Sequence, residues 1–243
     1  MQIIEGIEIV DLALWLQDTK TLIISDLHIG YEEALNKQGI MVPRFHYPDL
    51  DKKLKAILDQ TNPELIIING DLKHEFGRIS ETEWRHTIRI MDLLLKHAKV
   101  LLIKGNHDNI AGPLAEKRNL ELVEDYYFED KQIYVCHGNI IPDKTNENFK
   151  NSKTVIIGHE HPAVSIKSKT RVEKFKAFLK GKYENKTLIV QPSFNPIIEG
   201  TDILQEQLLS PFLKQNLENF EAFVVADEVY EFGKLKNIKK SIK

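Results

Sequence analysis

The chain has 243 residues, of which 42% are hydrophobic and 28% are charged, as in an ordinary globular protein. Lysine and arginine total 33 and aspartate and glutamate total 36, so the formal net charge is −3. This near balance argues against binding of nucleic acid through bulk positive charge, although a local basic stripe stays open. No apolar run approaches the roughly 20 residues of a membrane-spanning helix, and we expect no cleaved leader. The single cysteine, Cys136, cannot form a disulfide within the chain, which fits a cytoplasmic protein without membrane contact.

Six short runs rich in valine and isoleucine predict six β-strands. None of them alternates strictly between apolar and polar residues, which indicates strands covered on both faces. In chain order the runs are Thr21–Ser25, Leu65–Asn69, Val100–Lys104, Ile133–Cys136, Thr154–Gly158 and Thr187–Gln191. A polar turn at Asp18–Lys20 predicts a hairpin before the first run.

Helical patterns lie between several of these strands. Within Asp49–Thr61, four apolar side chains fall on one stripe, which predicts an amphipathic helix. Ser80 and Glu83 form a capping-box pattern ahead of a second helix. The sequence therefore predicts the α/β class, and we expect one domain over residues 1–243.

Polar side chains follow five of the six runs. In chain order they are Asp26-Leu27-His28, Gly70-Asp71, Gly105-Asn106-His107-Asp108, His137-Gly138-Asn139 and His159-Glu160-His161. In open α/β sheets, ligands bind at the carboxyl ends of the strands, so these side chains can converge although they are distant in sequence. Carboxylate and imidazole ligands without thiolate favour divalent ions such as Mn²⁺, Fe²⁺, Zn²⁺ or Ni²⁺. Two aspartates, four histidines and one asparagine are too many ligands for one ion and suit two ions that share a carboxylate.

The order D-x-H, G-D, G-N-H-D, H-G and G-H-x-H resembles the signature of the calcineurin-like metallophosphoesterase superfamily. All five blocks occur in order between Asp26 and His161. The stretches SDLHIGYEEAL, GDLKHEFG, IIGHEHPA and QPSFNP further resemble an archaeal branch whose bacterial relatives are predicted to work beside DNA ligase and a helicase in the DNA-damage response. A more distant resemblance is to the SbcD-type nucleases. The superfamily implies a sandwich of two central β-sheets flanked by helices, with a dimetal site at strand ends and residues 162–243 as a basic completion.

The resemblance also implies a role for each matching residue. The implied metal ligands are Asp26, His28 and His161 for the first ion, Asn106, His137 and His159 for the second, and Asp71 as the bridge. His107 would face the scissile phosphate and protonate the leaving oxygen, and Asp108 would orient its imidazole. We expect Mn²⁺ in both positions, with Fe²⁺, Ni²⁺, Zn²⁺ or Co²⁺ as alternatives.

Contacts to the substrate are predicted at four further positions, each of which has a structural alternative. These positions are Arg44, Lys73, His74 and Asn195. His74 could reach the substrate or a carboxylate behind the ligands, whereas Arg44 and Lys73 could be solvated surface. Asn195 could instead belong to a rigid turn between two prolines. The basic run Lys167–Lys186 is either a solvated face or a further contact for phosphate.

These residues predict a phosphoesterase that depends on two metal ions. Two divalent ions about 3.5–4 Å apart can hold a hydroxide that attacks phosphorus, and we expect phosphodiesters as substrates. As a nuclease or nucleotide phosphodiesterase linked to DNA repair, the protein would meet nucleic acid or nucleotides and a repair partner. The alternatives are a phosphomonoesterase or small-nucleotide hydrolase with the same metals, and a non-catalytic scaffold with the same fold. The presence of every ligand and of His107 favours an enzyme.

Overall fold

The computed structural model describes residues 1–42, 46–75, 80–108, 118, 120–167 and 171–241. The chain packs into two compact units, and each unit contains its own β-sheet. The first unit comprises Met1–Glu124 and Phe194–Ile198, and the second comprises Asp125–Ser193 and Glu199–Lys243. The predicted α/β class, with two multi-stranded sheets flanked by helices, is confirmed. Within the described ranges, no helix combines the length and the apolar character needed to cross a membrane.

The sheet of the first unit has seven described strands, which lie in the order β1 to β7. They are β1 (Gln2–Ile4), β2 (Ile7–Val10), β3 (Ala13–Leu16), β4 (Thr21–Ile24), β5 (Leu65–Asn69), β6 (Lys99–Ile103) and β7 (Glu121–Val123). Pairing is antiparallel from β1 to β4 and parallel from β4 to β7. The predicted hairpin before β4 is confirmed. The carboxyl ends of β4, β5 and β6 therefore meet at one edge of the sheet, where their polar loops begin.

Three described helices accompany this sheet: α1 (Tyr31–Lys37), α2 (His46–Thr61) and α3 (Glu81–His97). Helix α2 begins three residues before its predicted start and buries its apolar stripe, as expected. Ser80 caps α3, because its hydroxyl accepts a hydrogen bond of 3.0 Å from the amide of Glu83. The Glu83 carboxylate accepts from the amides of His74 and Glu75. The capping box therefore forms through the Ser80 hydroxyl, while the Glu83 side chain binds a different loop.

The sheet of the second unit has nine described strands. They are β8 (Asp125–Phe128), β9 (Ile133–Cys136), β10 (Thr154–Ile157), β11 (Pro162–Lys167), β12 (Val172–Tyr183), β13 (Lys186–Val190), β14 (Thr201–Asp202), β15 (Glu221–Val225) and β16 (Val229–Lys234). Seven of them lie in the order β14-β11-β12-β13-β10-β9-β8, while β15 pairs with β12 and β16 with β15. Strands β9, β10 and β13 are parallel, so the loops after β9 and β10 begin at the same edge.

Two short helices complete the second unit, α4 (Glu147–Asn151) and α5 (Leu235–Ser241). One face of its sheet packs into a core in which Tyr134, Phe212 and Leu235 are almost fully buried. Cys136 belongs to this core, and burial raises the pKa of its thiol, so it is a small hydrophobic residue here. The site residues after β9 and β10 therefore stand on a rigid support.

Candidate metal centre

In the first unit, the loop after β4 is joined by hydrogen bonds to the loop after β5. The amides of Asp26 and His28 donate to the carbonyls of Gly70 and Asp71, at 3.1 and 2.9 Å. The Ser25 hydroxyl lies 2.5 Å from Oδ2 of Asp26 and donates to it. Asp26, His28 and Asp71 are all buried, and the backbone bonds between the two loops hold these predicted ligands in register.

Asp71 lies at the centre of the predicted site residues of this unit. Its Oδ1 accepts a hydrogen bond of 2.8 Å from the amide of His107. Its Oδ2 faces two imidazoles, at 3.7 Å from Nε2 of His28 and 4.0 Å from Nε2 of His107. A Cβ on Gly105 would lie 2.2 Å from Oδ1 of Asp71, so only glycine permits this approach. Asn106 follows Gly105 in the same loop and is half-buried.

Three histidine rings of the first unit form a cluster, His28, His74 and His107. The ring of His28 lies 4.8 Å from that of His107 and 5.5 Å from that of His74, centroid to centroid. One nitrogen from each ring lies within 4.8 Å of the other two, which is a spacing that can hold a metal ion. Burial lowers the pKa of His74, and the neighbouring His107 lowers it further, which favours the neutral form of its imidazole.

Asp108 connects two loops of the first unit. Its carboxylate accepts hydrogen bonds from the amides of Leu72 and Gly105, at 3.1 and 3.0 Å. The Nδ1 of His107 lies 2.5 Å from the carbonyl oxygen of His74. A backbone carbonyl thus contacts the His107 ring, and the orientation of this ring by Asp108 stays a prediction.

Two predicted substrate contacts of the first unit make hydrogen bonds to its backbone. Lys73 is buried, and its ammonium donates to the carbonyls of His107 and Glu75. Asn195 is fully buried, and its amide donates to the carbonyls of Leu27 and His28, at 3.0 and 3.2 Å. These bonds fix the site loops and are different contacts from the predicted ones to phosphate. Arg44 lies outside the described residues.

In the second unit, three histidines follow the parallel strands β9 and β10. The rings of His137 and His159 are 5.0 Å apart and meet edge to face. The carbonyl of His161 accepts a hydrogen bond of 2.8 Å from the amide of Thr201. Gly200 passes so close that a Cβ there would lie 2.3 Å from this carbonyl oxygen. The three predicted ligands therefore lie on two tight turns at one edge of the sheet.

A buried glutamate that the sequence analysis did not single out holds these turns. Glu160 lies between His159 and His161, and its Oε2 accepts from the amides of Leu209 and Ser210, at 2.8 and 2.7 Å. The Ser210 hydroxyl donates in turn to the carbonyl of Gly138, at 2.7 Å. Burial raises the pKa of Glu160, and the two amides oppose that rise. Glu160 is the variable position of G-H-x-H, so the motif itself gave no signal for it.

Five of the seven predicted metal ligands adopt a left-handed backbone conformation. Their φ angles are 56° at Asp26, 42° at His28, 49° at Asp71, 63° at His159 and 51° at His161. Only ten of the described non-glycine residues do so. Such backbone costs about 1–3 kcal/mol per residue and concentrates at functional sites. The turns at these predicted ligands therefore hold a backbone that is not the one of lowest energy.

Two lysines of the basic run form ion pairs in the described part of the chain, and a third binds a backbone carbonyl. Lys174 pairs with Glu206 at 2.7 Å, and Lys180 pairs with Glu221 at 2.5 Å. Lys176 donates to the Ser193 carbonyl. These partners support the interpretation of a solvated face over that of a contact for phosphate.

Comparison with known families decides the classification. The model of the calcineurin-like phosphoesterase family matches residues 19–216, which include every predicted metal ligand and His107. The chain belongs to the calcineurin-like phosphoesterase family. The predicted superfamily is therefore confirmed.

Solved structures show the fold of this calcineurin-like phosphoesterase again. The nuclease MPE from Pseudomonas putida superimposes with a TM-score of 0.64 at 20% identity, over 91% of this chain and 92% of that one. The Escherichia coli phosphoesterase YfcE gives 0.42 at 10% identity, over 88% and 97% of the two chains. Vacuolar protein sorting 29 from Cryptosporidium parvum gives 0.40 at 14% identity, over 88% and 97%. The last two superpositions are too loose to bear on function. No curated protein sequence matches the chain.

Proposed function

We propose that residues 1–243 act as one dimetal-dependent phosphoesterase domain that hydrolyses phosphodiester bonds. The observation that carries the proposal is the left-handed backbone at Asp26, His28, Asp71, His159 and His161. These residues stand at the family's motif positions and account for half of the ten described non-glycine residues with positive φ, a backbone that concentrates at functional sites. Complete retention of the ligand set and of His107 favours catalysis over a scaffold role.

The donors present fit two hard or borderline divalent ions. They are carboxylate, amide and imidazole groups without thiolate, which suits Mn²⁺ first and Fe²⁺, Co²⁺, Ni²⁺ or Zn²⁺ next. In this proposal the ligands are Asp26, His28 and His161 for one ion, Asn106, His137 and His159 for the other, with Asp71 shared. When bound, the ions would supply a water nucleophile near neutral pH and positive charge for the phosphate oxygens.

His107 would protonate the leaving oxygen. Its side chain is 14% exposed, so a substrate can reach it, and its Nδ1 is engaged by the His74 carbonyl. A carbonyl only accepts, so Nδ1 carries a hydrogen and the transferable proton of the imidazolium sits on Nε2. General acid catalysis of this kind contributes about 10²- to 10⁴-fold.

His74 would contact the phosphate itself. Its ring lies 5.4 Å from that of His107, and its Nδ1 is buried without a hydrogen-bond partner in the described residues. A neutral imidazole can donate one N–H to a phosphate oxygen without adding charge. This arrangement supports a contact to substrate beside the proton donor.

The phosphodiester substrate in this proposal would come from nucleic acid or nucleotides. The fold shared with a bacterial nuclease is consistent with this substrate class, while its low identity shows the fold alone. A link to DNA repair, a repair partner and a cytoplasmic location stay predictions from the sequence resemblance.

Turnover of a diester and a monoester tests the proposal. The full chain, stripped of metal and reloaded with Mn²⁺, should hydrolyse bis(p-nitrophenyl) phosphate faster than p-nitrophenyl phosphate. A parallel panel of single- and double-stranded DNA, RNA, cyclic nucleotides and nucleotide monoesters identifies the class of substrate. Faster turnover of monoesters would favour the phosphomonoesterase alternative, and no turnover with Mn²⁺, Ni²⁺, Fe²⁺ or Co²⁺ would favour the scaffold.

A further inference from the structure

Residues 73–75, in the loop that follows β5, hold His107 at two points. The ammonium of Lys73 lies 2.5 Å from the His107 carbonyl and donates to it. The carbonyl of His74 engages Nδ1 of the same residue. The ammonium also donates to the carbonyl of Glu75, which closes the loop on itself. The backbone and the ring of His107 are thus both fixed by residues 73–75.

This loop is fixed in turn by Glu83 on α3. Its Oε1 accepts from the amides of His74 and Glu75, at 3.1 Å each. Glu83 is 1% exposed and packs against Gly30, where a Cβ would lie 2.6 Å from Cδ of Glu83. A capping box would turn this carboxylate toward Ser80, but here it reaches across to the loop. Burial raises the pKa of Glu83, and the hydrogen bonds from the two loop amides oppose that rise.

We propose that Glu83 and Lys73 are positioning residues for proton donation by His107. The inference rests on the proposed function, in which the Nε2 proton of the imidazolium moves to the leaving oxygen as the P–O bond breaks. A ring fixed through Nδ1 presents Nε2–H in one direction, and the neutral imidazole that remains keeps its Nδ1–H bond to His74. Neither Glu83 nor Lys73 touches the substrate in this arrangement.

Replacement of Glu83 tests the proposal through the dependence on the leaving group. Glu83→Ala should slow hydrolysis of a diester with an alkyl leaving group about 10- to 100-fold, because a misplacement near 1 Å can cost that much. It should change turnover of the p-nitrophenyl diester by less than about threefold, since this leaving group needs little protonation. Lys73→Met should show the same selectivity. Equal losses on both substrates would overturn the proposal.

Two matched variants separate positioning from simple destabilisation. Glu83→Gln keeps an oxygen acceptor for both loop amides, so it should restore turnover of the alkyl diester to within about threefold of wild type. Glu81→Gln changes an exposed carboxylate in the same first turn and should alter neither substrate. A failure of Glu83→Gln to rescue would contradict the hydrogen-bonding role.

His107→Ala, measured in parallel, distinguishes failure of this inference from failure of the proposed function. A selective loss in His107→Ala without one in Glu83→Ala would reject the positioning role alone. An unselective His107→Ala would reject His107 as the proton donor, and the inference with it.

Nitrogen-15 NMR of the full chain without metal gives a readout that does not depend on activity. Wild type should show His107 with hydrogen on Nδ1, and Glu83→Ala should lose that preference. Because the wild-type spectrum needs no variant to fold, it stands alone as a test. A bare Nδ1 and a protonated Nε2 in neutral wild-type His107 would overturn the proposal.

Discussion

The two units hold their predicted ligands in different chemical surroundings. In the first unit, Asp26 and Asp71 bring negative charge, and three loops are joined by hydrogen bonds to backbone atoms and by Asp108. In the second unit the predicted ligands are all histidines, and the turn that bears two of them is tied by one side chain, Glu160. The predicted site residues of the first unit therefore include both aspartates and the proposed proton donor, His107, whereas those of the second unit are all imidazoles.

Each unit also contains a buried glutamate that accepts two consecutive backbone amides. Glu83 binds the amides of His74 and Glu75, next to the proposed proton donor. Glu160 binds those of Leu209 and Ser210, behind two predicted metal ligands. The same hydrogen-bonding pattern therefore supports different groups in the two units. We expect loss of Glu83 to affect proton transfer and loss of Glu160 to affect metal affinity.

A side chain at Gly105 that displaces Asp71 should have the largest effect on metal binding and turnover. In Gly105→Ala the new Cβ would lie 2.2 Å from Oδ1 and 2.3 Å from the amide nitrogen of Asp71. We expect about 1–3 kcal/mol of lost stability from overpacking, with loss of Mn²⁺ binding and turnover. Chemical denaturation and calorimetric metal titration measure both effects.

Gly39→Ala is the control, because no described residue comes within 4 Å of a Cβ there although φ is +83°. It should lose about 1–2 kcal/mol through backbone strain and keep full turnover. Unchanged Mn²⁺ binding in Gly105→Ala would mean that the position of Asp71 does not matter.

Removal of Glu160 should loosen the turn that bears His159 and His161, with an effect on metal affinity smaller than that of Gly105→Ala. Glu160→Ala leaves two amides without their acceptor, and we expect Mn²⁺ affinity to fall about 10- to 100-fold, as for other residues that support metal ligands. Turnover should recover at saturating Mn²⁺, because the proton donor lies in the other unit. Measuring kcat against Mn²⁺ concentration checks this.

Glu147→Ala, at an exposed pair with Lys150, should leave the Mn²⁺ dependence unchanged. A Glu160→Ala enzyme that stays slow at every Mn²⁺ concentration would contradict the division of roles between the units.

Breaking an ion pair of the basic run should have the smallest effect. Lys174→Ala removes a pair with Glu206 in which the side chains are 23% and 47% exposed. Exposed pairs are worth about 0–1 kcal/mol, so thermal unfolding and turnover should hardly change. A marked, salt-dependent loss of affinity for DNA would instead assign this face to nucleic acid.

Six of the sixteen described strands, which include the strands that precede the site loops, could be predicted from apolar runs in the sequence. The six apolar runs become β4, β5, β6, β9, β10 and β13 within one residue at each end, because strands covered on both faces need continuous apolar runs. The twelve-residue strand β12 was missed because it lies in the basic run and mixes lysines with apolar residues, and most of the other missed strands lack a continuous apolar run. The start of α2 was placed late because its first residues carry no apolar stripe.

The supports of the site could not be predicted, because they depend on contacts between distant segments. Glu160 bonds amides 49 and 50 residues away, and Asn195 bonds a carbonyl 168 residues away. Lysine is a residue type found mostly at the surface, yet two backbone carbonyls allow the ammonium of Lys73 to be buried. Motif spacing identifies candidate ligands but not the residues that hold them.

The number of Mn²⁺ ions bound per chain tests the central claim most directly. Calorimetric titration of the metal-free full chain should give two ions for wild type. Asp71→Asn, which keeps Oδ1 as acceptor for the His107 amide but removes the shared charge, should weaken both ions. A wild-type stoichiometry of one or zero, or an Asp71→Asn variant that binds both ions with unchanged affinity, would contradict the account.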